Sequence, residues 1–273
     1  MIRVKIIGGL GNQLFQYACG RSLALDNNCK LMLDVSGFEN YKIHELGITK
    51  FPLCSDVTYN HDPAQTKRLD FKDGILGRFY KECGLRFDLN VLEKKRIKTI
   101  NGFFQSEKYF QRYSDIIREE LCIPKPEVNG LSNELTDNQT VAIHFRRGDY
   151  LEKTNFGICK LSYYFSAINY LRSKFEKIKF FAFTDDPDWF NEQSGFTGSV
   201  ELVSNPNFSN IDELYLMSAC DHFIIANSSY SWWAAWLSKN PNKIVIAPKP
   251  WFDSDALNSS SIVPDGWIEI PKS

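Results

Sequence analysis

The segment His144-Phe145-Arg146-Arg147-Gly148-Asp149-Tyr150 sets two adjacent guanidinium groups directly after the apolar, partly β-branched run Val141-Ala142-Ile143. Such a run reads as a buried strand. The cations then stand at the carboxyl edge of a sheet, where open α/β sheets bind ligands. Strand alternation puts His144 and Arg146 on one face, with Phe145 and Arg147 on the other. Each guanidinium fork can donate two parallel charge-assisted bonds, a geometry that suits phosphate. A surface ion pair with Asp149 is the plainer alternative, and the strand context tips the balance toward phosphate.

Three further segments repeat this grammar. Gly8-Gly9-Leu10-Gly11-Asn12-Gln13 lies between the strand-like Val4–Ile7 and a helical pattern through Leu14, Tyr17, Ala18, Arg21 and Leu25. Glycines there let backbone N–H groups approach a ligand, and a helix N-terminus favours an anion by about 0.3–1 kcal/mol. Gly9, Gly11, Asn12 and Gln13 are therefore candidate contacts to a phosphorylated ligand. Asp34, ending the next strand, mimics the ribose-binding acid of a dinucleotide fold, yet the fingerprint G-x-G-x-x-G fails at Leu14. Phe181-Ala182-Phe183-Thr184-Asp185-Asp186-Pro187 ends a second strand in acids. With no third ligand nearby, helix capping or a sugar or base contact suits these acids better than a metal. Phe223-Ile224-Ile225-Ala226-Asn227-Ser228-Ser229-Tyr230 runs from a strand into a hydroxyl-rich turn that opens a helix. Ser228 and Ser229 can donate to phosphate oxygens, and Ser228 can serve equally as an N-cap. Trp232, Trp233 and Trp236 recur at helical spacing and read as core. Asp212 and Glu213 begin a further helix, placed to accept from a purine or to serve the helix dipole.

The elements that must position these groups are legible mainly in the second half. Strand-like segments at 141–145, 180–184, 200–203, 223–226 and 244–247 alternate with helix-like segments around 161–175, 210–219 and 229–239. That alternation implies a mostly parallel, doubly wound sheet. Residues 40–135 carry no clean period, and Pro124-Lys125-Pro126 with Asn129-Gly130 is the best linker. The expected fold class is α/β, with two Rossmann-like halves facing a central cleft: an acceptor-side domain over residues 1–130 and a donor domain over 131–273.

A chain of 273 residues, 43% hydrophobic, can bury a sizeable core. Its net charge of −1 supplies no field to recruit nucleic acid or an anionic membrane across the whole molecule, so phosphate recognition must be local. Seven scattered cysteines without a CxxC pair suit reduced thiols in the cytoplasm better than disulfides or zinc. No apolar run reaches about 18 residues, and no signal peptide is read. The expectation is a cytoplasmic protein without a transmembrane anchor, compatible with peripheral contact at the inner membrane.

The glycine turn Gly8–Ala18, the block His144–Tyr150, Phe183-Thr184-Asp185-Asp186, and Asn227-Ser-Ser-Tyr-Ser-Trp-Trp-Ala-Ala-Trp-Leu237 together resemble glycosyltransferase family 11, the α-1,2-fucosyltransferases that use GDP-fucose. The resemblance spans nearly the whole chain. It implies a GT-B-like fold, inverting chemistry with no required metal or other cofactor, and transfer to the 2-hydroxyl of a galactoside-terminated glycan. By position it makes Arg146 the diphosphate clamp, with His144 beside it and Arg147 in support. Ser228, Ser229 and Tyr230 match the phosphate-binding turn with Asn227 at its start, and Gly11 and Asn12 match the N-terminal loop facing the donor. Asp212 or Glu213 corresponds loosely to a guanine-reading acid, and Asp185 is a further donor contact. The family's animal members carry a membrane anchor, so the resemblance is to a soluble bacterial-type enzyme. Inversion calls for a proton acceptor at the sugar hydroxyl; Asp149, Glu152 and Asp34 are the candidates, and the sequence does not choose among them. The alternatives are fucosyl transfer with another acceptor or linkage, an NAD-dependent oxidoreductase suggested by Gly9-x-Gly11 with Asp34, and a carbohydrate-binding protein without catalysis.

Overall fold

In the computed structural model, which describes the chain apart from residues 42, 127–138, 153–154, 255–256 and 258–259, every strand pairing is parallel. The chain divides into two units, Met1–Cys122 with Asn258–Pro264, and Ile123–Leu257 with Asp265–Ser273. The 130/131 boundary and the Asn129-Gly130 part of the expected linker lie outside the described residues.

The first unit holds five short strands: β1 (Ile2–Lys5), β2 (Leu31–Asp34), β3 (Val57–Asn60), β4 (Phe79–Lys81) and β5 (Thr99–Asn101), in the order β3-β2-β1-β5-β4. Register pairs Ile2 with Leu31, and Val4 with Leu33 and Ile100, so these apolar residues share one fully buried face. Helix α1 (Leu10–Asp26) packs on that face. It comes so close at Gly20 that an added Cβ would sit 3.0 Å from the side chains of Val4 and Leu31. The other face carries Arg3, Lys5, Asp34, Asn60 and Thr99. Helix α2 (Pro63–Ile75) joins the β3 edge to the β4 edge across it without burying a single residue. What holds α2 is polar. Arg3 reaches Asp34 at 3.1 Å and Asp70 at 2.6 Å, Lys5 also pairs with Asp70, and Thr99 donates to Asp73 at 2.5 Å. The first strand ends at Lys5 rather than at Ile7, because the Ile7 N–H is taken at 3.0 Å by the Gln16 side chain of α1. Two short helices, α3 (Asn90–Glu93) and α4 (Ser114–Glu120), complete the unit.

The second unit has six strands: β6 (Gln139–Phe145), β7 (Ile178–Thr184), β8 (Glu201–Leu202), β9 (His222–Ile224), β10 (Val245–Lys249) and β11 (Ile268–Pro271), ordered β11-β10-β9-β6-β7-β8. Its helices are α5 (Leu161–Arg172), α6 (Pro187–Asn191), α7 (Asn210–Ser218) and α8 (Ser229–Leu237). Val141, Ile143 and Phe145 join Ala182, Ile224, Ile246 and the inner side of α5 in one core. The residues of opposite parity, Ala142, His144, Phe181 and Phe183, are buried as well. A sheet covered on both faces needs near-continuous apolar strands, which is why this half of the sequence reads so clearly. Trp232, Trp233 and Trp236 form an aromatic cluster inside α8, with ring centroids 5.1–6.1 Å apart, as expected of core residues.

The strand order of the second sheet reverses at β6. From there the chain runs outward through β7 and β8, then returns to the other side of β6 as β9, β10 and β11. The crevice beyond the carboxyl ends of β6 and β9 is thus a topological switch point, the usual ligand position in open parallel sheets.

Candidate functional site

Parallel pairing of β6 with β7 and β9 brings three motif-bearing ends to one edge: the arginine loop after β6, the paired acids after β7 and the serine turn after β9. The Tyr150 hydroxyl donates to the Asn227 carbonyl at 3.2 Å, tying the loop to the turn. The rings of His144 and Tyr230 lie 5.8 Å apart.

Arg146 bridges two carboxylates, reaching Asp149 at 2.5 Å and Asp185 at 2.8 Å, and sits 5.2 Å from the centre of the Tyr150 ring. Arg147 pairs with Asp186 at 3.1 Å and lies 4.0 Å over Trp189. Both guanidiniums are largely covered yet still reachable from solvent, at 25% and 20% side-chain exposure. The Arg147 N–H donates to Asp185 at 2.9 Å. An added Cβ at Gly148 would stand 2.5 Å from the Asp185 carboxylate, so a side chain there requires that carboxylate to shift. Asp186 caps α6 ahead of Pro187, accepting from the Trp189 N–H at 3.1 Å. The plainer ion-pair arrangement of Arg146 and Asp149 is therefore present, and it coexists with placement at the switch point.

His144 is 5% exposed and its Nδ1 meets no hydrogen-bond partner. Burial first, and the neighbouring Arg146 charge second, push its pKa down to about 3, so the ring is neutral at physiological pH. Ser228 caps α8, accepting from the Tyr230 N–H at 3.3 Å, and Ser229 opens the helix. Tyr230 donates to the Asn210 carbonyl at 2.5 Å, joining the starts of α7 and α8. Burial raises the Glu213 carboxyl above its ordinary value, countered by the Ser204 hydroxyl and the Asn205 N–H.

Several expected contacts are placed elsewhere. Gln13 is wholly buried, donating to the carbonyls of Gly8 (2.9 Å) and Glu45 (2.7 Å) and accepting from Ile48 (3.1 Å). Its amide is saturated, so it braces the glycine turn rather than facing a ligand. Asn227 is likewise 1% exposed, its amide donating to Phe156 and Gly157 and so pinning that loop. Asp212 forms a capping box with Ser209, which leaves Glu213 as the acid of the pair free of that duty. Asp34, 3% exposed, lies within the α2 network of the first unit, bonded to Arg3, Ser36 and Thr66. Glu152 is exposed beside the arginine loop.

In the first unit, Gly9 is the N-cap position of α1, Gly11 is buried in its first turn, and Asn12 accepts from Gln105 at 2.7 Å. Glu82, after β4, was not foreseen. It accepts from the N–H groups of Phe103 (2.6 Å) and Phe104 (3.1 Å), and burial raises its carboxyl above the ordinary value. It sits in the stretch without a clean period, which gave no signal for it. Tyr150 and Trp189, the aromatic supports of the two arginines, were also missed; Tyr150 stands four residues after Arg146, a spacing that could have flagged it. Among the described residues no group of three or more His, Cys, Asp or Glu side chains is arranged to hold a metal ion.

Each unit is a parallel α/β sheet, and in the second unit two cations and a helix N-terminus meet at the switch point. The solved structure of NodZ α-1,6-fucosyltransferase soaked with GDP-fucose superposes with a TM-score of 0.51 at 15% identity, over 86% of this chain and 92% of that one. The fold is GT-B-like, and the protein is a glycosyltransferase. The chain belongs to glycosyl transferase family 11, whose model matches residues 1–271. An α-1,2-colitosyltransferase of Escherichia coli is 33% identical across 100% of this chain and 99% of its own length. A galactoside 2-α-L-fucosyltransferase of Caenorhabditis elegans is 30% identical over 59% of this chain and 49% of its own. Family membership sets aside the oxidoreductase alternative. Among the described residues no helix is long and apolar enough to cross a membrane.

Proposed function

We propose that the chain transfers L-fucose from GDP-fucose to the 2-hydroxyl of a terminal β-galactoside, with inversion and without a metal ion. The observation that carries this reading is the arginine loop tied to the serine turn at the switch point, through Tyr150 and Asn227. The donor diphosphate takes the place of Asp149 and Asp185 at Arg146, with the α8 N-terminus and Ser228–Tyr230 on its other side. As the bond to fucose breaks, negative charge gathers on the leaving phosphate. Arg146 and the helix-end N–H groups favour that charge more in the transition state than before it. Asp149, parted from Arg146 by this exchange, and the exposed Glu152 near it are the proposed acceptors of the hydroxyl proton. Glu213, with Ser204 and Asn205, is the proposed guanine reader.

The test is an assay of purified chain with GDP-fucose and a panel of β-galactosides in EDTA, the product linkage being determined by NMR. An α-1,2-fucosylated product upholds the reading; no fucosyl product with any galactoside overturns it. A second reading, favoured by the full-length likeness to a colitosyltransferase, gives the enzyme a 3-deoxy analogue of fucose as donor sugar. The ratio of kcat/KM for GDP-fucose and GDP-colitose separates the two. A site that hydrogen-bonds the 3-hydroxyl rejects the deoxy sugar by a factor on the order of 10⁴.

A further inference from the structure

Helix α2 presents an unusual outer face. Its acids beyond the N-cap, Asp70 and Asp73, are turned inward onto Arg3, Lys5 and Thr99. Lys67, Arg68, Lys72 and, just past the helix, Arg78 are all exposed. Between them stand the large apolar side chains Phe71 (72% exposed), Ile75 (70%) and Leu76 (48%). On a helical wheel Phe71 and Ile75 form one ridge, flanked by Lys67 on one side and by Arg68 and Lys72 on the other. The one exposed acid from Asp62 to Arg78 is Asp62 itself, which caps the helix through the Ala64 N–H.

We propose that this face of α2 docks onto the surface of an anionic phospholipid bilayer, with Phe71 and Ile75 entering the headgroup boundary and the four cations meeting lipid phosphates. The pairing of exposed Phe and Ile with flanking Lys and Arg on one face offers both apolar contact and attraction to anionic headgroups, the two contributions that hold a helix in a membrane interface. Charge complementarity selects this occupant. A second copy of the chain meeting the same face across a twofold axis would set these cations against their own kind. The polar attachment of α2 fits the same use: with its acids drawn inward, the helix keeps the charge of its outer face uniformly positive. Docking is independent of which sugar the enzyme transfers, so its failure leaves the proposed reaction untouched.

The experiment is vesicle co-sedimentation of the full chain with phosphatidylcholine alone and with added phosphatidylglycerol, at low and high salt. The expected result is binding to the anionic vesicles only, reversed by salt as surface charges are screened. K67Q/K72Q should weaken that binding roughly thirty-fold, at about fivefold for each cation near an anionic surface. F71S/I75S should abolish it, with melting and transfer to a soluble acceptor unchanged in both variants. No binding to anionic vesicles, equal binding to neutral ones, or unchanged binding by either variant would each overturn the proposal; a concentration-dependent dimer that F71S/I75S disrupts would assign the face to a second copy instead.

Discussion

The two sheets share parallel topology but differ in what covers them. The C-terminal sheet is sealed on both faces by apolar side chains, with Phe145 at the centre of a ring cluster formed by Tyr164, Trp189, Phe190 and Phe196. The N-terminal sheet is sealed that way only under α1. Its second face is closed by an ion network in which Arg3, 3% exposed, is the centre. The difference shows that one fold class tolerates two ways of attaching a helix. Truncating an apolar side chain costs the contacts and leaves a cavity, whereas removing one member of a buried ion network strands the charges left behind, a loss that removing all of them together relieves.

The largest effects test this contrast directly. Phe145→Ala should destabilise the C-terminal unit by about 3–5 kcal/mol through the cavity it leaves. Arg3→Ala should cost a similar 3–5 kcal/mol or so by stranding Asp34 and Asp70. Denaturant unfolding reads both, and an Arg3→Ala loss below about 1 kcal/mol would break the comparison. Replacing Arg3, Asp34 and Asp70 together by apolar residues of similar size should recover much of that loss.

Next in size is the catalytic consequence of the arginine loop. Arg146→Ala should lower kcat roughly 10- to 100-fold or more, with circular dichroism unchanged, since a charged hydrogen bond is worth about 1.5–3 kcal/mol. A normal rate would remove the diphosphate clamp from the account. Smaller again is a pH effect confined to the C-terminal unit. His144 is held neutral down to about 3 from an ordinary 6.5. The unfolded chain therefore takes up this proton first, and the stability is complete above about pH 6.5 and declines as pH falls toward 3. His144→Phe should flatten that decline by on the order of 1 kcal/mol per pH unit, read from urea midpoints between pH 4 and 6, roughly. The smallest effect is Ser228→Ala, which removes the α8 cap at about 1 kcal/mol; a thermal melt without change would deny Ser228 its cap role.

The same contrast explains what the sequence disclosed. Strands β6, β7, β9 and β10 were legible because burial on both faces leaves runs such as Val141–Phe145 and Phe180–Phe183 almost wholly apolar. Strands β3, β4 and β5 are three or four residues long and half polar, so Val57-Thr58-Tyr59-Asn60 looks like loop. Helix α2 inverts the usual pattern altogether: its acids face the sheet while Phe71 and Ile75 face out, and periodicity arguments assume the reverse. At the site, the strand-end grouping of Arg146, Asp185 and Ser228 was readable from three separate motifs. The bracing roles of Gln13 and Asn227 were not, because a buried amide serving backbone carbonyls has the same spelling as one serving a ligand.

Gly148 carries one last consequence. The Asp185 carboxylate that crowds it is fixed from two sides, by the Arg146 guanidinium and by the Arg147 N–H. A side chain at 148 therefore meets an acid already held in place, and it fits only where that carboxylate swings aside and gives up one of its two partners.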